Sequence, residues 1–164
     1  MVTRDELLDL VHYDSEAGTF TWKVRRCGTK GIGMPAGGHD SKGYSRIKIN
    51  GKHYLSHRLA WLYVYGRWPD DMIDHINGVR DDNRIHNLRE ATNIENCRNQ
   101  SRRRSNTSGI KGVSWDKSEG KWKAYCVMNG KFCNLGYYTR ISDAEEAVKN
   151  FREKNHGEFT NHGY

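Results

Sequence analysis

Residues 72–99 read MIDHINGVRDDNRIHNLREATNIENCRN, and their order of residue types sets the expected architecture. Met72–Ile76 is apolar enough for a short strand. Residues 77–87 are polar and rich in turn formers. Leu88–Ala91 is a second short strand. Thr92 can cap a helix starting near Asn93, with Glu95 three residues on completing a capping box. The layout is strand, loop, strand, helix. Within it lie one Asp-His pair (Asp74-His75) and a series of spaced amides, among them Asn87, Asn93 and Asn96. Hydrolysis of a phosphodiester asks for a group that takes a proton from water near neutral pH, and imidazole suits that. It also asks for a cation against the charge that grows on phosphate and leaving oxygen. Magnesium keeps several waters, so one carboxylate and one amide oxygen can hold it, and Asp74 and Asn96 offer such a pair. Strand alternation points Asp74 and His75 to opposite faces, so a twist at the strand end is expected to bring both to the site.

Outward from this stretch, the charge is blocked. The 164 residues carry a net +7, yet residues 68–97 hold seven acids against three bases. Residues 23–67 hold ten bases and one acid, and residues 98–131 nine bases and two acids. Basic blocks with interleaved aromatics suit a polyanion. An acidic stretch between them repels phosphate unless a cation sits there. Only 35% of residues are hydrophobic, which favours two small cores over one large one. Five Trp, nine Tyr and four Phe argue against disorder. Cys27, Cys97, Cys126 and Cys133 form no C-x-x-C pair, which excludes a zinc ribbon. With no signal peptide and no long apolar run, a cytoplasmic protein that does not enter a membrane is expected.

The flanking segments read as small elements. Residues 4–12 form a helix with Leu7, Leu8 and Val11 on one face, and Thr19–Val24 a strand. A glycine-rich loop covers 27–43. Tyr44–Ile49 and His53–Ser56 flank Asn50-Gly51, a hairpin signal. His57–Tyr65 is a buried helix ended by Gly66 and Pro69. Residues 98–108 contain no apolar side chain and read as a basic tether. Then Lys111–Trp115, Lys121–Met128 and Phe132–Tyr137 are three strands, and Ser142 caps a helix through Lys154 with Ala144, Ala147, Val148 and Phe151 on its apolar face.

The 72–99 stretch resembles the HNH, or ββα-metal, nucleases, and most of all the homing endonucleases of phages and mobile introns. Asp74-His75-x-Asn77-Gly78, Asp82-Asn83-Arg84, Asn87-Leu88-Arg89 and Glu95-Asn96 carry the resemblance. Upstream, Gly43-Tyr44, the Ile47/Ile49 alternation, His57-Arg58 and Gly66-x-Trp68-Pro69 extend it. It implies that His75 is the general base, and that Asp74 and Asn96 hold one divalent metal, Mg²⁺ or Mn²⁺. Asn87 would brace the two strands and fix the His75 ring. It also implies cleavage of double-stranded DNA to 5′-phosphate and 3′-hydroxyl ends, with an Asn-terminated motif like that of the strand-nicking branch. A phage source would place the protein in a bacterial host cell.

Residues 109–161 resemble the plant ethylene-response (Apetala-type) DNA-binding domain through Gly112-Val113-x-Trp115, Lys121-Trp122-x-Ala124, Leu135-Gly136-x-Tyr138 and Gly157-Glu158-Phe159. That domain lays a three-stranded sheet in the major groove.

The expected fold is therefore α+β: a ββα-metal core with an N-terminal β-rich extension (1–99), a linker (100–108), and a small three-stranded antiparallel sheet packed on one helix (109–164). Candidate DNA contacts are Arg46, Lys48, Arg58, Arg84, Arg89, Arg102, Arg103, Arg104, Lys111, Trp115, Lys117, Lys121, Lys123, Tyr125 and Arg140. The chain is expected to act as a monomer, since an asymmetric site needs no two-fold symmetry. The rival reading is a DNA-binding regulator of the same fold that has lost catalysis.

Overall fold

The computed structural model describes residues 1–25, 31–102 and 104–163; Cys27 and Arg103 lie outside them. The chain forms a mixed α+β structure in two compact units, Met1–Ala91 and Thr92–Tyr164. The division falls ahead of the helix after the second motif strand, whereas the basic stretch was the expected tether.

The first unit opens with α1 (Arg4–Leu10), capped by Thr3 in a reciprocal box with Glu6. The helix stops earlier than its apolar spacing suggests because β-branched Val11 starts β1 (Val11–Asp14), which pairs antiparallel with β2 (Thr19–Trp22). β3 (Gly38–His39), β4 (Ser45–Ile49) and β5 (Lys52–Leu55) form a second antiparallel sheet in that order. The β4–β5 turn places Asn50 at φ 48° and Gly51 at φ 79°, the paired positive angles of a type I′ hairpin. β4 alternates cleanly: Ile47 and Ile49 are fully buried, while Arg46 and Lys48 point outward. α2 (Ser56–Tyr65) buries Leu59, Ala60, Trp61 and Leu62 and ends at Gly66 in the left-handed conformation. β6 (Met72–His75) then pairs antiparallel with β7 (Leu88–Ala91), in the register Asp74 opposite Arg89 and His75 opposite Leu88. Ile73 and Leu88 join the core made by α1, the first two sheets and α2.

The second unit begins with α3 (Asn93–Asn99), whose Thr92 cap and Glu95 form the capping box read from the sequence. Three antiparallel strands follow, β8 (Val113–Asp116), β9 (Lys121–Met128) and β10 (Lys131–Tyr138), with β9 central. α4 (Ile141–His156) packs Ala144 and Val148 against Val113, Ala124 and Cys126. Its cap differs from the sequence reading. The helix starts at Ile141 with Arg140 at the cap and no side-chain capping bond. Ser142 therefore lies inside the first turn, where its hydroxyl meets the Asp143 carboxylate (3.1 Å) rather than an orphan N–H. Glu145 pairs with Lys149 one turn on. Lys111 fastens α3 to the rest of this unit. Its ammonium donates to the carbonyls of Arg98 (2.9 Å), Gln100 (2.5 Å) and Asn161 (3.1 Å). Asn161 in turn donates to the Asn99 carbonyl (2.7 Å).

His156, at the end of α4, is 7% exposed, and among the described residues neither ring nitrogen has a hydrogen-bond partner. Burial, followed by the charges of Arg98, Arg152 and Lys111 and by His162, pushes its pKa down to about 4. A histidine with a depressed folded pKa stabilises the fold fully above its unfolded value, about 6.5, and loses that contribution as pH falls toward the folded value. Thermal melts should therefore show the second unit weakening between about pH 6.5 and 4. His156→Leu, which cannot take up the proton, should flatten that slope; an unchanged slope would refute the assignment.

Candidate active site

The polar loop between β6 and β7 is held by its own side chains. Asn87 accepts from the Asn77 N–H (3.0 Å) and donates both amide protons, to Asn77 Oδ1 (3.0 Å) and to the Asp82 carbonyl (2.8 Å). Asn77 Nδ2 donates to Asp82 Oδ2 (2.6 Å), and the Ile76 N–H to the Asn87 carbonyl (2.9 Å). Asn87 is thus a brace across the loop mouth. Arg84 grips Asp82 through two N–H groups, and this pairing holds the Asp82 carboxyl far below the usual carboxylate range.

Asp74 and His75 are each 5% exposed and have different surroundings. Arg89, directly across the ladder, donates Nε (3.0 Å) and Nη2 (2.9 Å) to Asp74 Oδ2. A carboxylate this buried requires such a countercharge. His75 packs edge-on against His57, with ring centres 5.0 Å apart, and Tyr44 lies against both rings at 5.6 Å and 6.1 Å. Burial lowers the pKa of His75, opposed by its bond to Asn83 and by the nearby carboxylates. Burial likewise drives His57 down to about 3, with smaller contributions from His75 and Arg58. Both rings are therefore neutral at pH 7. A neutral imidazole has a lone pair with which to accept a proton.

The ring contact of His75 differs from the expected one. Asn87 spends both amide protons on the loop, and it is Asn83 Oδ1 that sits 3.4 Å from His75 Nε2. Asn83 Nδ2 donates to the Asp81 carbonyl (3.1 Å), which fixes the amide with its oxygen toward the ring. A carbonyl oxygen only accepts, so this contact selects for the tautomer with its proton on Nε2. Asn83 is legible in the sequence as part of the Asp82-Asn83-Arg84 match, but not as the partner of the ring. The Tyr44 and His57 packing joins separate sheets and helices, and no local spacing announces it.

The N-terminal hairpin supports this loop from behind. Tyr13 Oη donates to the Asn83 carbonyl (2.6 Å), and the Ile85 N–H to the Ser15 carbonyl (3.1 Å). Gly18, at φ +70°, lies so close that a Cβ there would meet Arg84 N at 2.5 Å and the Asn83 carbonyl carbon at 2.7 Å.

The remaining candidates divide by what they already hold. Arg89 neutralises Asp74, Arg84 neutralises Asp82, and Arg58 donates to the Asp71 and Pro69 carbonyls beside Trp68. Lys111 is spent on three carbonyls, and its burial lowers its pKa to about 8. Trp115 shares a strand face with Val113, away from Lys123, and packs edge-on against Trp122 (5.0 Å). Arg46 and Lys48 are outward on β4, with Arg46 near Asp40 (3.7 Å). Arg102, Arg104 and Lys117 are exposed, and Arg140 is exposed beside Asp143 (3.8 Å). Lys121, Lys123 and Tyr125 alternate with Trp122, Ala124 and Cys126 along β9. Asn96 is on α3, in the second unit. Among the described residues no three His, Cys, Asp or Glu side chains gather as a metal cluster. A buried carboxylate beside an imidazole still fits a hard, mostly hydrated cation, which needs few protein ligands.

Comparison with known proteins agrees with this geometry. The family model described as HNH endonuclease matches residues 54–98, the span from β5 through β6 and β7 into α3. Protein 3.8 of Escherichia phage T7 is 38% identical over 107 residues, covering 63% of this chain and 85% of that protein. The chain belongs to the family of this phage protein and carries an HNH endonuclease domain. No solved structure matches it. Within the HNH domain, Asp74, His75, Asn83 and Asn87 lie on or between the paired strands, and no described helix is long and apolar enough to cross a membrane.

Gly18→Ala combines a positive φ with a backbone clash, so it should cost about 1–3 kcal/mol of stability in denaturant unfolding. Gly33→Ala, also at positive φ (+79°) but with open space around the added methyl, should cost less. Equal losses would show that Gly18 does not support the loop.

Proposed function

We propose that this protein is a divalent-metal-dependent endonuclease that cuts one strand of double-stranded DNA, leaving 5′-phosphate and 3′-hydroxyl ends, as a homing-type enzyme acting as a monomer. The observation that carries the reading is His75: buried, neutral, held against Asn83 and adjacent in sequence to the buried acid Asp74. In this reading Nδ1 of His75 accepts the proton of the attacking water. Asn83 is a positioning residue that holds the ring in that tautomer. Asn87 keeps the loop mouth closed around it. Asp74 and Asn96 would hold Mg²⁺ or Mn²⁺, which supplies positive charge against the phosphate and leaving oxygen. Asp74 enters that role with Arg89 already beside it, so Arg89 is a partner of the site rather than a free phosphate contact.

DNA is held by the outward residues. Arg46 and Lys48 line the exposed face of β4, and Lys121, Lys123 and Tyr125 the sheet of the second unit, with Arg102, Arg104, Lys117 and Arg140 as further phosphate contacts. The likeness of the second unit to Apetala-type domains rests on its sequence matches and is consistent with three strands on one helix. Lysine is poorer than arginine at bidentate recognition of guanine, so this unit grips backbone more than it reads sequence.

The test separates cutting from holding. On a labelled duplex that the wild type cleaves, His75→Ala should lose roughly 10²–10⁴-fold in rate while its DNA affinity stays within about twofold. Asn83→Ala should lower kcat with little change in KM. Cleavage by His75→Ala at the wild-type rate would overturn the assignment. Tight binding with no cleavage by the wild type would favour a DNA-binding regulator.

A further inference from the structure

The sheet of the second unit has two unlike faces. One, with Val113, Ala124 and Cys126, is covered by α4. Strand register puts Lys123, Tyr125 and Val127 on the other, beside Tyr137, Asn134 and Phe132 of β10. This face is apolar yet open: Phe132 is 57% exposed, Val127 53% and Tyr137 38%. Its rings are ordered. Tyr125 and Phe132 stack at 5.3 Å with 22° between their planes. The Lys123 ammonium lies 5.3 Å from the Phe132 centroid and 5.7 Å from that of Tyr137.

Flat π surfaces interleaved with ammonium groups match a polyanion that carries flat, accessible rings. A closed duplex presents only base edges in its grooves, because each base is already stacked on its neighbours. An unpaired strand presents base faces, which stack on aromatic side chains regardless of sequence. Lys121 and Lys131, at the ends of the same strands, supply charge for phosphates. The strands β9 and β10 themselves carry no arginine to read guanine edges, so the chemistry of their open face is that of stacking.

We propose that the β9–β10 face binds unpaired DNA bases, stacking them on Phe132, Tyr137 and Tyr125 while Lys123 contacts the backbone. This inference rests on the reading of the second unit as a DNA-holding module and specifies the form of DNA it takes.

The test uses the full chain in EDTA, with fluorescence anisotropy of a labelled oligo-dT and of a mixed-sequence duplex of equal length. Phe132→Ala with Tyr137→Ala should weaken strand binding by about 30-fold or more, two lost base stacks at roughly fivefold or more each, and leave duplex binding within about twofold. Phe132→Tyr with Tyr137→Phe keeps the rings and should restore strand binding; a circular dichroism spectrum equal to wild type shows that both variants fold. Equal losses on strand and duplex would overturn the proposal and leave the DNA-holding reading intact. Unchanged binding of both would overturn it as well, and so would a wild-type dimer that the alanine variant dissolves, since the face would then belong to a second copy. Failure of the wild type to bind either DNA would remove the DNA-holding reading itself.

Discussion

The site depends on the burial of one carboxylate. Asp74 sits on a four-residue strand with almost no exposure, and an unpaired charge there would cost several kcal/mol even after relaxation. Arg89 makes the burial tolerable, and it does so only because β6 and β7 pair in the register that sets the two residues opposite each other. A slip of one residue would turn both side chains to the other face. The register is in turn held by the loop, where Asn87 ties Asn77 and Asp82 across the mouth. The acid, its countercharge and the brace therefore form one cooperative unit, and His75 takes its place beside Tyr44, His57 and Asn83 as a consequence.

The parts of this arrangement that are local were legible in the sequence. The Asn50-Gly51 turn, the strands of 72–91 and the Thr92–Glu95 box follow from turn chemistry and side-chain reach over three or four residues. The parts that failed are non-local or competitive. Val11 was read into α1, but pairing with Trp22 takes it into a strand. Ser142 reads as a cap, but the helix begins two residues earlier, with Arg140 at the cap. Arginines were the least legible. Arg58, Arg84 and Arg89 read as candidate DNA contacts when written in one dimension, yet each is bound to an acid or to carbonyls within its own unit. A basic side chain does not reveal in sequence whether its partner is a phosphate or a neighbouring Asp.

The same limit applied to the His75 ring. Two asparagines, Asn83 and Asn87, lie along the loop, and what each amide oxygen already accepts distinguishes them. Asn87 Oδ1 accepts from the Asn77 N–H, and Asn83 Oδ1 is the one that lies against the ring. The choice has a chemical consequence, since a carbonyl acceptor at Nε2 makes Nδ1 the basic nitrogen. The motif also crosses the boundary between compact units: its paired strands close the first, and α3 opens the second, bound there through Lys111 and Asn161. The residue at the end of the motif, Asn96, is thus carried by the unit whose sheet displays the open aromatic face.

The most direct test of the central claim is the conversion of supercoiled plasmid by the purified full chain. With Mg²⁺ or Mn²⁺ present, open circles should accumulate with time and be abolished by EDTA. Plasmid that stays supercoiled in either metal, although the protein binds it tightly, would contradict the assignment of this HNH domain as a working nuclease.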